Sequence, residues 1–162
     1  MLKPYFGLAL FSLFILNACS SSAPKPEPLT VLVSAGVNIN PSVQSASNPV
    51  SLRVYQLTSI EDFQSAQVLD LYQHDTKLLA KSLLYKQSVQ GVLPKEQRTL
   101  SLSIQPGTKF LAVFSQFSNY PQAKSLAWVD ISQLEDLASV TISLEALSVN
   151  VQPILVESFW SW

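Results

Sequence analysis

The chain is poor in the residues on which most enzymes and metal proteins rely. It has one cysteine, one histidine and four glycines among 162 residues. A lone cysteine excludes an internal disulfide, and one cysteine with one histidine cannot supply the usual ligand set of a zinc site. So few glycines leave no Gly-rich loop to cradle a phosphate. Charged residues make up 13% of the chain and nearly cancel, to a formal net charge of −1. No basic surface therefore points to nucleic acid or to anionic lipid. No apolar stretch reaches the roughly 20 residues that a membrane-crossing helix needs. Serine is plentiful, but none sits in a nucleophile-elbow context. Stability must come from an apolar core, for which 48% hydrophobic residues are available.

What is present begins at the N-terminus. Lys3 precedes an apolar run through Phe6, Leu8, Leu10, Phe11, Leu13, Phe14 and Leu16, which closes on Asn17-Ala18-Cys19. Serines 20–22 and then Pro24, Pro26 and Pro28 follow. Charge, a short apolar core, a small residue, a cysteine and a polar tether together read as a secretory signal ending in a lipid-attachment cysteine. The expectation is a signal peptide over 1–18, acyl chains on Cys19, a flexible tether over 19–28 and one domain over 29–162. Asn17 departs from the usual lipobox, where a small residue is commoner. Without acylation the same segment reads as a plain signal peptide or a short N-terminal anchor helix. An unpaired thiol in an exported chain favours acylation over those readings. Triacylation buries enough methylene groups for stable anchoring. Ser20, rather than Asp, after the cysteine favours the outer membrane by the bacterial sorting rule. Removing 18 of the 162 residues leaves 144, one domain of ordinary size.

From Leu29 the apolar period becomes two. Residues 29–37 and 50–57 read as half-buried strands, with Val50, Leu52 and Val54 opposite Ser51 and Arg53. Between them, 38–48 is a long polar loop. Ser59 and Asp62 are spaced like a capping pair, and Phe63, Ala66, Leu69 and Tyr72 recur every three residues. One or two short helices are expected across 60–79, with a break near 74–76. Strands return at 83–89 and 99–105, followed by a Pro106-Gly107 turn. Residues 109–117 carry apolar side chains on both faces, which marks a central strand. Further strands are expected at 126–131 and 140–151, with a phase slip read as a β-bulge near Ala146. Pro153 weakens the last ladder, and Phe159-Trp160-Ser161-Trp162 forms an aromatic tail. The tail is a docking site, core packing or a loose end. About seven strands with one helical insertion predict an all-β, two-sheet β-sandwich.

Chemistry-bearing residues are sparse. His74 and Asp75 are neighbours, but adjacent residues on a helix point in different directions, which weakens a base–orienter pair. Glu61, Asp62, Asp70 and Asp75 cluster in the helical insertion. Paired carboxylates can act as acid and base; a solvated helix face is the plainer reading.

Several segments together resemble a known family. They are Arg53-Val54-Tyr55-Gln56-Leu57, Phe63-Gln64-Ser65-Ala66 with Leu71, and Leu93-Pro94-Lys95-Glu96-Gln97-Arg98-Thr99-Leu100. Ile104-Gln105-Pro106-Gly107 and Leu111-Ala112-Val113-Phe114, with Phe117 beyond, complete the set. In this order, after Cys19, they resemble the type VI secretion lipoprotein family (TssJ type). Three positions depart from its pattern: Lys95 stands for a glycine, Ser118-Asn119 for a common Arg-Asp, and 122–125 lack a tryptophan.

The resemblance implies a transthyretin-like sandwich with a small helical addition and a structural task. That task is to anchor, at the outer membrane, the trans-envelope complex of a contractile injection machine. The implied partner is the periplasmic C-terminal domain of a TssM-type inner-membrane protein, with several copies in a ring. In relatives the first inter-strand loop contributes to that contact. By position this places Asn38, Ile39, Asn40, Pro41, Ser42, Val43, Gln44, Ser45, Ala46, Ser47 and Asn48 at the interface. No catalytic residue, metal or cofactor is expected beyond the lipid on Cys19. Two competing readings are a periplasm-facing carrier lipoprotein binding a small apolar ligand, and a lipoprotein amidase or glycosidase.

Overall fold

The computed structural model describes residues 25–134 and 136–156. The expected signal, Cys19, most of the tether and the aromatic tail lie outside the described residues. In chain order the elements are β1 (Glu27–Ala35), β2 (Val50–Leu57), α1 (Glu61–Gln64), α2 (Val68–Leu78), β3 (Leu83–Val92), β4 (Gln97–Ile104) and β5 (Phe110–Ser115). A 3-10 turn (Tyr120–Gln122) leads to β6 (Leu126–Asp130), β7 (Leu137–Glu145) and β8 (Ser148–Leu155). Two four-stranded sheets result, ordered β4-β1-β7-β8 and β3-β2-β5-β6. This is the expected all-β sandwich with a helical insertion.

Alternation explains why the sheets pack. Leu29, Val31, Val33 and Ala35 of β1 face inward with Val140, Ile142 and Leu144 of β7, against Val50, Leu52 and Val54 of β2 and Leu111 and Val113 of β5. Each such Val, Leu or Ile side chain, fully buried, contributes about 1.5–3 kcal/mol. The mixed sheet arises because β1 runs antiparallel to β4 and parallel to β7.

The outer face of the second sheet is also covered. Tyr55, Leu57, Ala112 and Phe114 meet Phe63 of α1, Leu71 of α2 and Leu79 just beyond it in a second apolar cluster. The helices therefore account for the two apolar faces of β5, which is central in its sheet.

Five expectations need correction. The tether ends earlier than expected, because Glu27 and Pro28 already pair with Ile104 and Ser103 in β1. Ser59 and Asp62 do not cap a helix: Ile60 is the N-cap and makes no side-chain cap bond, and Ser59 Oγ instead donates to Glu61 Oε2. The Phe63-Ala66-Leu69-Tyr72 repeat does not keep one face: Phe63 is fully buried, whereas Leu69 and Tyr72 are about half exposed and Leu71 and Leu79 take the buried positions. The α2 axis breaks at His74, which has φ −136°. That break, which falls where it was expected, rotates the later residues off a continuous helical stripe.

The phase slip near Ala146 is a chain reversal, not a bulge. β7 and β8 pair antiparallel, from Glu145↔Ser148 to Leu137↔Leu155. Ala146 takes φ +47° at the turn, without the glycine or asparagine that normally announces one. Among the described residues, eight strands therefore stand where about seven were expected. Asp75 is the fifth correction: it is buried, not part of a solvated acidic face.

Candidate functional site

The loop between β1 and β2 has a buried neck and an exposed tip. Ile39 is fully buried in the inter-sheet core, and Asn40 is buried beside it at φ +50°. Asn40 Nδ2 donates to Pro49 O at 2.9 Å, and its Oδ1 accepts from Ser118 N at 2.8 Å. Asn40 N donates to Ala146 O at 2.7 Å. One residue thus ties together the loop, the segment after β5 and the β7–β8 turn. The positive φ is an expected habit of asparagine.

The tip closes on itself. Asn48 Nδ2 donates to Asn40 O at 2.8 Å, Ser42 N to Ser45 O at 2.8 Å, and Ser45 Oγ to Ser47 O at 2.7 Å. These bonds fix a polar loop that has little apolar packing of its own. Val43 projects fully into solvent. Beside it an open groove of about 600 Å³ is lined by Pro41, Ser42, Val43, Ser118, Asn119 and Leu147.

The eleven expected contact residues therefore divide. Ile39 and Asn40 hold the loop and do not reach its surface. The presented side chains are Asn38 and those of 41–47, Val43 foremost, while Asn48 bonds back to Asn40 O. Sequence reasoning also missed Ser118, Asn119 and Leu147, which lie far away in the chain and carry no local signal of their convergence.

A second arrangement fixes the helical insertion. Arg53 Nη1 donates to Asp75 Oδ2 and to Leu71 O, both at 2.9 Å, and Nη2 donates to Tyr72 O at 3.2 Å. With its amide oxygen turned to the guanidinium, Gln116 accepts two more bonds at 3.1 and 3.2 Å. Tyr55 Oη donates to Asp75 Oδ2 at 2.9 Å, and Lys86 Nζ reaches both carboxylate oxygens at 3.1–3.2 Å. Burial opposes the Asp75 charge. Hydrogen bonds from Lys86, Tyr55 and the Thr76 amide, with the Arg53 charge, outweigh it and hold the carboxyl below its ordinary range. Burial, reinforced by the Asp75 charge, pushes the Tyr55 phenol up. Arg53, Lys86 and Tyr55 all donate to groups of the fold itself, so the cluster is a clamp between sheet and helix.

Between α2 and the turn after β5 lies a further groove of about 320 Å³, with Leu69, Tyr72, Phe117 and Tyr120 in its wall. His74 is exposed near Asp70 and Lys77. Among the described residues, no group of three or more His, Cys, Asp or Glu side chains is placed to hold a metal.

A family model, T6SS-SciN, described as type VI secretion lipoprotein (VasD, EvfM, TssJ), matches residues 27–151. The chain belongs to this family. The family is one of secretion-system lipoproteins, not of enzymes. No curated protein sequence matches the lipoprotein. Among solved structures it is similar to the T6SS lipoprotein TssJ1 from Pseudomonas aeruginosa, at TM-score 0.73 and 20% identity over 81% of this chain and 98% of that one. It is also similar to Serratia marcescens Lip, named a membrane-bound component of the type VI secretion system. There the TM-score is 0.68, with 15% identity over 78% and 96% of the two chains. A third match is a chain of the structure named T6SS protein TssM C-terminal domain (869–1107) from EAEC, at TM-score 0.64 and 21% identity over 76% and 99%. At these identities the likeness is one of fold. Among the described residues of the lipoprotein, no helix is long and apolar enough to cross a membrane.

Proposed function

We propose that this lipoprotein anchors the trans-envelope complex of a type VI secretion system at the outer membrane. In this reading, acyl chains on Cys19 hold it in the inner leaflet, and the tip of the β1–β2 loop grips the periplasmic C-terminal domain of a TssM-type inner-membrane protein. The observation that carries the reading is the build of that loop. Its neck is locked by Asn40 while Val43 stands fully exposed beside an uncharged groove. A rigid scaffold presenting a fixed loop is a natural protein-binding element. Family membership and the similarity to a chain of a structure named for a TssM domain support the choice of partner. Several copies in a ring would add avidity to a modest single contact.

Crosslinking in cells followed by purification of the lipoprotein tests this. Recovery of a large inner-membrane protein is expected, and its absence under conditions that capture other envelope contacts would refute the adaptor role. Cys19→Ser should release the protein from membranes. The groove of about 320 Å³ beside α2 gives the carrier reading one point of support, since it reaches the lower end of ligand-pocket sizes. A small apolar molecule retained in native mass spectrometry would favour that reading instead.

A further inference from the structure

The strands at the edges of the two sheets are β4, β8, β3 and β6. An edge strand turns backbone N–H and C=O groups outward, where another chain can pair with them. Three of these edges are blunted. In β8, Val149 N donates to Lys124 O at 3.0 Å, so odd-numbered residues of this strand turn away from β7, and Pro153 stands among them without a donor. β6 is five residues long, and the Lys124–Ser148 bridge ties its lead-in to β8. β3 has irregular register at both ends of its ladder with β2 and carries Lys86.

β4 has none of these devices. It pairs with β1 without a register shift, from Glu27↔Ile104 to Ser34↔Gln97. Ala35 N donates to Glu96 O at 2.9 Å, so even-numbered residues of β4 turn their backbone groups toward β1 and odd-numbered ones away. At the far end the outward groups are used. Ser103 O accepts from Gln56 Nε2 at 3.0 Å, and Gln105 N donates to Gln56 Oε1 at 2.7 Å. Among the described residues, nothing bonds the outward N–H and C=O groups of Gln97, Thr99 and Ser101. The side chains of these three are exposed. With Thr30, Leu32 and Ser34 of β1 and Ser139, Thr141 and Ser143 of β7 they share an outer face that carries no charge. Leu100 and Ile104 point inward but stay only half-buried, since no strand lies beyond β4.

We propose that β4 pairs antiparallel with β4 of a second copy of this chain, about a two-fold axis at Thr99. This register draws only on the unbonded groups. Thr99 stands opposite Thr99 of the second copy and Gln97 opposite its Ser101, each such pair exchanging two backbone hydrogen bonds. Arg98, the one charged residue of the strand, faces Leu100 of the second copy. No like charges meet, and the arginine stem covers a half-buried leucine. A strand edge alone falls short of the roughly 1,000 Å² that a stable interface clears. The contact therefore needs the copies held close together, as a shared bilayer holds chains tethered through Cys19. To that extent the pairing rests on the acylation of Cys19.

The test uses the full-length lipoprotein in its own membranes, carrying Thr99→Cys and treated with a mild oxidant. Facing residues of a hydrogen-bonded pair have Cα atoms about 5.5 Å apart, within disulfide reach, so a disulfide-linked dimer is expected. Thr30→Cys is the control. It is also exposed, but three strand spacings, about 14 Å, separate it from its counterpart, and it should give at least about tenfold less dimer. Adding Gln97→Lys and Ser101→Lys sets like charges opposite each other and should cut the Thr99→Cys dimer at least about fivefold. Gln97→Lys with Ser101→Glu sets opposite charges there and should restore it. Both side chains point into solvent, so the melting temperatures should stay level. Equal dimer from Thr99→Cys and Thr30→Cys overturns the proposal. So do equal yields from the two charge variants, or capture of a different envelope protein by the Thr99→Cys chain in place of a second copy. The parent chain has Cys19 alone. A dimer of the parent reports an unacylated thiol and fails the anchor reading separately. The same variants in a Cys19→Ser chain at high protein concentration then decide the strand pairing by the same outcomes.

Discussion

Asp75 on α2 and Arg53 on β2 are locked together across the outer face of the second sheet, with Nη1 at 2.9 Å from Oδ2. Arg53 also caps the Leu71 and Tyr72 carbonyls just before the kink at His74. The helical insertion is therefore fastened to the sandwich at one point by charge as well as by apolar packing. Removing one member of a mostly buried pair strands the other. Asp75→Ala should cost about 3 kcal/mol in urea unfolding. Arg53→Ala should cost a similar amount, and the double variant should fall well short of the sum. Strict additivity would show that the two side chains do not act together.

The same cluster sets a pH dependence. Asp75 binds a proton less readily folded than unfolded. Its contribution is therefore present above the ordinary carboxylate range and is lost as pH falls below about 4. Tyr55 shifts the other way and holds its proton more tightly when folded. Above about pH 10 the unfolded phenol ionises while the folded one does not, so stability falls there too. Unfolding curves across pH should show both losses. Tyr55→Phe should flatten the alkaline limb. Asp75→Asn should flatten the acid limb only in part, because Glu96 is lowered by the Leu93 amide and Asp130 by the Ser132 hydroxyl.

Lys95 occupies a left-handed conformation at φ +65° in the turn between β3 and β4, where the family pattern has glycine. A side chain there costs about 1 kcal/mol. Lys95 is exposed, so Lys95→Gly removes no buried contact. It should raise the urea midpoint by an amount corresponding to roughly 0.5–1 kcal/mol, partly offset by the added freedom of the unfolded chain. A lower midpoint would mean that the lysine side chain contributes more than its conformation costs.

Asn40 is expected to matter for stability and binding together. Asn40→Gly keeps the positive φ but removes the bonds to Pro49 and Ser118. The loss should be about 1–3 kcal/mol for two partly buried hydrogen bonds. Crosslinking yield to the partner should also fall, although Asn40 itself touches no solvent-facing surface. An unchanged unfolding midpoint would show that the neck is not held by this side chain.

The sandwich was legible because most of its strands alternate buried and solvent-facing side chains. Leu29, Val31 and Val33, or Leu100, Leu102 and Ile104, declare a period of two with no help from context. The β7–β8 reversal was not, since Glu145-Ala146-Leu147-Ser148 contains no Gly, Pro, Asn or Asp and shows only a slip in phase. Nor could helical spacing single out Asp75. The break at His74 changes which side chains face inward, and the reason to bury a carboxylate lies on β2 and β3, in Arg53, Tyr55 and Lys86. The loop itself was visible as a polar stretch. Its division into a buried neck and a presented tip depends on Ser118 and Ala146, and no local pattern connects them to Asn40.

Affinity for the periplasmic C-terminal domain of the TssM-type protein from the same organism, measured by calorimetry with the wild-type lipoprotein and with Val43→Asp, is the decisive experiment. The wild type should bind, and Val43→Asp should weaken binding at least about tenfold with an unchanged melting temperature, because the valine is fully exposed. Absence of binding by the wild type, or equal affinity for both proteins, would contradict the loop tip as the grip on the partner.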